Sequence, residues 1–259
     1  MVPQFLVIGT KRGGSTSLFE YLIQHPDVIP PYVAKGSRYF DVHYHRGQPW
    51  FRSHFPLERT AMRRARDTKT RMITGEASPY IIYHPLAAER IAKALPNVQL
   101  LLAVRDPVER AWSHYQYEVA RGFEPLDPIA AFAAEASRLQ GEVQRMVEEP
   151  GYLAKAHRHW SYVDRGRYAA QLERLYEWVP PDQVLVVSSE QLFARTNETM
   201  QKVARFLGLR PFDWRDTATF KAGVGQSMPP LLRAELTALF RDDNDRLFTL
   251  LNETYDWSR

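Results

Sequence analysis

The segment Gly9–Ser17 (GTKRGGSTS) concentrates the residue types that hold an anion. Gly13 and Gly14 let the backbone approach a ligand closely. Ser15, Thr16 and Ser17 add hydroxyl donors, while Lys11 and Arg12 add cations. A phosphate or sulfate group suits this set if the segment opens a helix, whose first N–H groups and dipole favour negative charge. The plain alternative is a glycine turn with surface charges. A second set is Arg105 and Ser113. An arginine at the carboxyl end of a strand can grip a phosphate in bidentate fashion, and a serine about two turns into the next helix can face back toward it. Arg105 could instead pair with Glu109 or Asp106, and Ser113 could be an ordinary small helix residue.

Both sets need strand–turn–helix units to position them. Phe5–Ile8 is a short apolar run that reads as a buried strand, and Ser15–Gln24 has helical apolar spacing. Val98–Val104 reads as a second buried strand. Asp106 suits an N-cap and Pro107 a first helical position, so a helix is expected toward Gly122. A third strand is expected at Val184–Val187, with a helix near Asn197–Leu207 after it. Further helices are expected at Leu86–Ala94 and Tyr168–Trp178, and a helix pair or one interrupted helix at Pro229–Leu251. This alternation predicts an α/β fold with a central, mainly parallel sheet flanked by helices. We read residues 1–259 as one domain, with a helical flap or insertion near 123–151.

Bulk properties narrow the functions. The chain has 259 residues, 44% apolar and 25% charged, an ordinary globular balance. No apolar stretch approaches ~20 residues, so no membrane span is expected. The chain has no cysteine, which excludes disulfides and thiolate metal sites and suggests a cytoplasmic location. A net charge of +4 suits an anionic ligand. The basic stretch Arg59–Arg71 (RTAMRRARDTKTR) reads as a mobile surface segment, and no nucleic-acid motif is present. Gly9–Ser17 is not a nucleotide-triphosphatase loop, because Ser15 stands where that motif requires Lys.

Phe5–Ser17 (FLVIGTKRGGSTS) resembles the 5′-phosphosulfate loop of sulfotransferases that use 3′-phosphoadenosine-5′-phosphosulfate (PAPS), particularly the heparan sulfate type and its bacterial relatives. Val104–Tyr115 (VRDPVERAWSHY) resembles their 3′-phosphate motif. Weaker similarity runs from about Phe5 to Trp257 and includes Tyr39–Asp41 (YFD), Gly75–Tyr80 (GEASPY) and Gly166–Tyr168 (GRY). The resemblance implies a three-layer P-loop-like fold and transfer of a sulfuryl group from PAPS, and the missing triphosphatase lysine points to metal-free chemistry. It also implies that Arg105 and Ser113 hold the 3′-phosphate and that Tyr168 stands near the nucleotide, although a core tyrosine fits that position equally. Lys221 lies where the family has a basic loop that closes on PAPS.

The pattern departs in two places. The family usually has a Lys at the position of Arg12, which stabilises the leaving group. Arg12 is therefore assigned electrostatic stabilisation, with Lys11 as a helper. Many heparan-type relatives have a Glu at the position of Gly36. The general base must then be sought elsewhere: Glu76, in a turn after an apparent strand Met72–Thr74, and Asp41 rank level, with His43 next. The aromatic and histidine cluster Tyr39–His54 (YFDVHYHRGQPWFRSH) reads as an acceptor wall or as hydrophobic packing under a loop. His43 and His45 lack a third metal ligand, so no metal site is expected. The expected acceptor is a small molecule, glycolipid or glycan with a hydroxyl or amine. An ATP-using P-loop kinase and a non-catalytic binder of the nucleotide product (PAP) are the alternatives.

Overall fold

We describe the protein from a computed structural model, which describes residues 1–32, 35–149, 151–214 and 226–257. The chain begins with β1 (Phe5–Gly9) and α1 (Ser15–Leu22), then α2 (Gly47–Arg52), α3 (Glu58–Thr68), β2 (Gly75–Ala77), α4 (Ala87–Ala94) and β3 (Gln99–Val104). It continues through α5 (Pro107–Ala120), α6 (Pro128–Ala133), α7 (Glu135–Leu139), α8 (Glu142–Glu148), α9 (Lys155–His159) and α10 (Tyr168–Tyr176). The remainder is β4 (Val184–Ser188), α11 (Ser189–Ala194), α12 (Thr196–Phe206) and α13 (Pro230–Leu251). The chain separates into two compact units. The first comprises Met1–Val104 and Tyr176–Phe220, the second Arg105–Leu175 and Lys221–Arg259.

The first unit holds a four-stranded sheet in the order β2-β1-β3-β4, with every pair parallel. Strands β1, β3 and β4 read as mainly apolar runs because a parallel sheet is covered on both faces. Phe5, Val7, Leu101, Ala103 and Val187 pack with Leu18 and Leu22 of α1 and Met200 and Val203 of α12. The fold is thus the predicted α/β class with a central parallel sheet flanked by helices. The pairing of β1 with β3 shifts register between Val7 and Gly9. That irregularity lies where the strand gives way to the glycine-containing loop.

In the second unit, α5 begins as expected: Asp106 accepts the N–H of Val108 at 2.8 Å and Pro107 occupies the first turn. Val108, Ala111, Trp112 and Tyr115 of α5 pack with Leu232, Leu236 and Phe240 of α13. That last helix runs uninterrupted for 22 residues, where the sequence allowed a helix pair or an interruption.

Two local expectations need correction. Arg59–Arg71 is not a loose surface segment, since most of it forms α3. Ala61 and Ala65, one turn apart, supply a narrow apolar stripe that packs with Ile29 and Met72. Glu76 lies within β2 rather than in a turn, with Leu6↔Glu76 in register, while Ile73 forms only a bridge with Val28. No helix among the described residues is long and apolar enough to cross a membrane.

Candidate active site

The loop after β1 is shaped by its backbone. Thr10 donates its N–H to the Ala103 carbonyl at 2.8 Å, and Gly13 donates to Thr10 O at 2.9 Å. The chain therefore turns tightly over Lys11 and Arg12. Arg12 takes φ 66°, a left-handed conformation that costs a non-glycine residue about 1–2 kcal/mol. Its side chain is exposed. Gly14 takes φ 90°, and a Cβ there would lie 2.6 Å from Ser189 Oγ. Ser189 in turn donates to the Gly13 carbonyl. No side chain caps α1. Its first N–H groups, which have no partners within the helix, begin at Ser15. Ser15 and Ser17 are buried and Thr16 is exposed. Thr10 Oγ1 is fully buried and has no hydrogen-bond partner among the described residues. A backbone cradle, an orphaned hydroxyl and two cations together fit an anionic ester such as a phosphosulfate.

A segment that sequence reasoning missed lies against this loop. Lys35 Nζ donates to Thr16 Oγ1 at 2.6 Å. Its backbone is fastened to β2, since Ala77 N–H donates to the Lys35 carbonyl at 2.8 Å. Burial pulls the Lys35 ammonium down to about 8, against an opposing pull from Glu20. The next residue explains one departure from the family pattern. A Cβ on Gly36 would lie 2.3 Å from the Ala77 carbonyl oxygen, so no glutamate fits there with this backbone. The only available sign was the lone Lys35 before Gly36, and nothing in the spacing tied it to Thr16.

Glu76 sits beside this segment. Its Oε2 accepts the Ser37 N–H at 2.7 Å, while its Oε1 is buried with no partner among the described residues. The residue is 1% exposed. Burial pushes its carboxyl up to about 7, opposed by the Ser37 hydrogen bonds and reinforced by the charge of Asp41. Asp41 is also buried. Its Oδ2 accepts from Ser78 Oγ at 2.6 Å, and its Oδ1 lies 4.0 Å from Arg38 Nε. His43 is partly exposed and held below the usual histidine range, chiefly by burial and then by Arg38 and Arg46. The structure thus gathers the loop, Lys35, Glu76, Asp41 and His43 in the first unit. In the aromatic stretch, Tyr39, Phe40 and Phe51 are buried core, as is Phe55 just after it. His43, His45 and Trp50 keep some exposure.

Arg105, Ser113 and Tyr168 belong to the second unit. Arg105 Nη2 lies 3.7 Å from Glu109 Oε2, the ion pair weighed from the sequence. Arg233 holds the other Glu109 oxygen at 2.6 Å. Arg105 keeps 26% of its side chain exposed. Ser113 is partly exposed. Tyr168 is a core residue at 2% exposure, and its hydroxyl donates to the Arg105 carbonyl at 2.8 Å. It therefore steadies the backbone from which Arg105 projects. Lys221 lies outside the described residues.

Comparison with known proteins gives the family. The family profile described as a sulfotransferase domain matches residues 2–221. The chain is 31% identical over 209 residues to the heparan sulfate glucosamine 3-O-sulfotransferase 3B1 of Mus musculus, covering 81% of this chain and 47% of that protein. It is 26% identical over 286 residues to the bifunctional heparan sulfate N-deacetylase/N-sulfotransferase 3 of Homo sapiens, covering 97% of this chain and 30% of that protein. The chain thus spans less than half the length of these two relatives. The crystal structure of a sulfotransferase from Alicyclobacillus acidocaldarius superposes with a TM-score of 0.71 at 28% identity, covering all of both chains. The chain is therefore a member of the sulfotransferase family.

Proposed function

We propose that the protein transfers a sulfuryl group from PAPS to a hydroxyl or amine of a small-molecule, glycolipid or glycan acceptor. The observation that carries this reading is the loop Thr10–Ser17, where glycine backbone, the opening of α1, an orphaned buried hydroxyl and two cations form one anion cradle. When bound, PAPS supplies an activated sulfuryl group joined to a 5′-phosphate leaving oxygen. In the reaction the acceptor oxygen or nitrogen bonds to sulfur, and the bond from sulfur to the phosphate oxygen breaks. The electron pair stays on the phosphate as PAP is released.

The residues divide this work by chemistry. Backbone N–H groups at Gly14–Ser17, with Lys11 and Arg12, hold the 5′ end and offset the charge that grows on the leaving oxygen. The family resemblance gives the 3′-phosphate to Arg105 and Ser113, with Tyr168 as a positioning residue through the Arg105 carbonyl. Glu76 takes the acceptor's proton. A carboxyl that ionises at about 7 is matched to that task near neutrality. Asp41 keeps that value raised by its charge, and His43, held neutral by its surroundings, is the next proton acceptor in line.

The test has two arms. Calorimetry without Mg²⁺ should detect PAP binding, and Arg105→Ala should weaken it by about 1.5–3 kcal/mol, the range of a charge-assisted phosphate contact. Incubation with ³⁵S-labelled PAPS and an extract of the native cell should label an acceptor. Absence of PAP binding would remove the reading. Binding without labelling across a broad acceptor panel would leave a nucleotide binder, and ATP-dependent transfer would mark a kinase.

A further inference from the structure

We infer that Lys35 is a donor-binding residue, whose ammonium leaves Thr16 to hydrogen-bond the 5′-phosphate oxygens of the sulfuryl donor. The inference rests on the PAPS reading and adds to the cradle a cation from outside its loop.

Three observations lead there. The first is position. Lys35 Nζ is 2.6 Å from Thr16 Oγ1, and Thr16 is the second residue of α1. The ammonium is therefore held within one hydrogen bond of the helix end that opens the cradle. The second is anchorage. The Lys35 carbonyl accepts from Ala77 N–H, Gly36 packs against the Ala77 carbonyl, and Ser37 N–H is held by Glu76. Three consecutive residues are thus tied to β2. With the backbone held there, rotation about the bonds of the long Lys35 side chain is enough to turn its ammonium from Thr16 to a nearby anion.

The third is a polarity that the resting contacts satisfy poorly. Burial weakens the hold on the Lys35 proton, bringing the group to about 8, and Glu20 on α1 offsets only part of that. Glu20 is the charged group that acts on the ammonium, while Glu76 on β2 is engaged with Ser37. A cation that loses solvent without gaining a close carboxylate is stabilised when an anion arrives. A phosphate dianion at the cradle is that anion. Arg12 is exposed at the turn, whereas the Lys35 ammonium, held at Thr16, can pair with the leaving phosphate oxygen through a directed N–H.

The test reads binding rather than turnover. PAP affinity is measured by calorimetry between pH 7 and 9, where its own phosphates are already ionised, in two buffers of different ionisation enthalpy. The expected wild-type affinity falls about tenfold across that range, with net proton uptake on binding near pH 8. Lys35→Arg should keep affinity at both ends of the range and lose the proton uptake. Lys35→Met should bind PAP at least tenfold more weakly at pH 7, also without uptake. If Lys35→Met matches the wild type in affinity and uptake, the inference is overturned and PAPS use stands. If the wild type does not bind PAP at all, the PAPS reading falls and takes the Lys35 role with it. Lys35→Arg, which keeps the charge and the length, separates loss of proton exchange from loss of folding.

Discussion

In the loop Thr10–Ser17 the groups offered to a ligand belong mainly to the backbone. The turn is closed by Gly13 N–H to Thr10 O, and α1 starts behind Gly14 without a side-chain cap. In the neighbouring stretch Gly36–His43 the roles are reversed. There the backbone of Gly36 and Ser37 is held against β2, and the remaining chemistry rests on side chains, Asp41 and His43 of the stretch and Glu76 of β2. Backbone donors carry no titratable charge, so the loop works alike across the neutral range. The carboxylates depend on their surroundings for their protonation state. The contrast teaches that the loop is shaped by local geometry, while the protonation of Glu76 is set by burial.

The largest expected effect falls on the side-chain region. Glu76→Gln should lower turnover at least ~100-fold, in the range of a lost general base, with PAP affinity nearly unchanged. Wild-type turnover should rise with pH through about 7, where Glu76 ionises, and the residual activity of the variant should lack that limb. Full turnover in Glu76→Gln would move the base to Asp41 or His43. Stability carries the opposite slope. Glu76 ionises at about 7 in the fold, above its usual 4.5, so the folded chain keeps a proton that the unfolded chain releases. Stability should fall as pH rises from 4.5 to about 7. Glu76→Gln should flatten part of that fall. Glu135, which burial also pushes up to about 7, adds to the same fall.

A smaller effect probes the backbone beneath those side chains. Gly36→Ala places a methyl group against the Ala77 carbonyl and should cost about 1–3 kcal/mol of stability, as overpacking does. Urea denaturation measures it. An unchanged midpoint would mean that the segment stands off β2.

The smallest effect separates charge from strain in the loop. Arg12→Gly removes a cation but relieves a left-handed residue at φ 66°. Turnover should fall about tenfold, while stability holds or rises by about 1 kcal/mol. A parallel loss of both would show that the Arg12 side chain also braces the turn.

Much of the fold could be read locally. Phe5–Ile8, Val98–Val104 and Val184–Val187 are short apolar runs bounded by turn and cap residues, and each became a parallel strand. Asp106–Pro107 announced the start of α5 through a cap and a fixed φ, both properties of neighbouring residues. The short strand β2 was misplaced because Met72–Thr74 is the more apolar stretch. Pairing with β1 selected Gly75–Ala77 instead, a choice made by a partner distant in sequence. Likewise, α3 was hidden because its apolar stripe is only Ala61 and Ala65 among many charges.

The sequence by itself determined the anion loop, because glycines, hydroxyls and cations in consecutive positions between a strand and a helix need no distant partner to define a cradle. It also marked Arg105, just before α5, and Ser113, about two turns into that helix. Tertiary structure alone decided the rest. It brought Lys35 to Thr16, closed residue 36 to any side chain, and buried Glu76 beside Asp41. Each of these depends on β2 lying next to β1, and a carboxyl's proton affinity or a lysine's reach follows from what surrounds it in space.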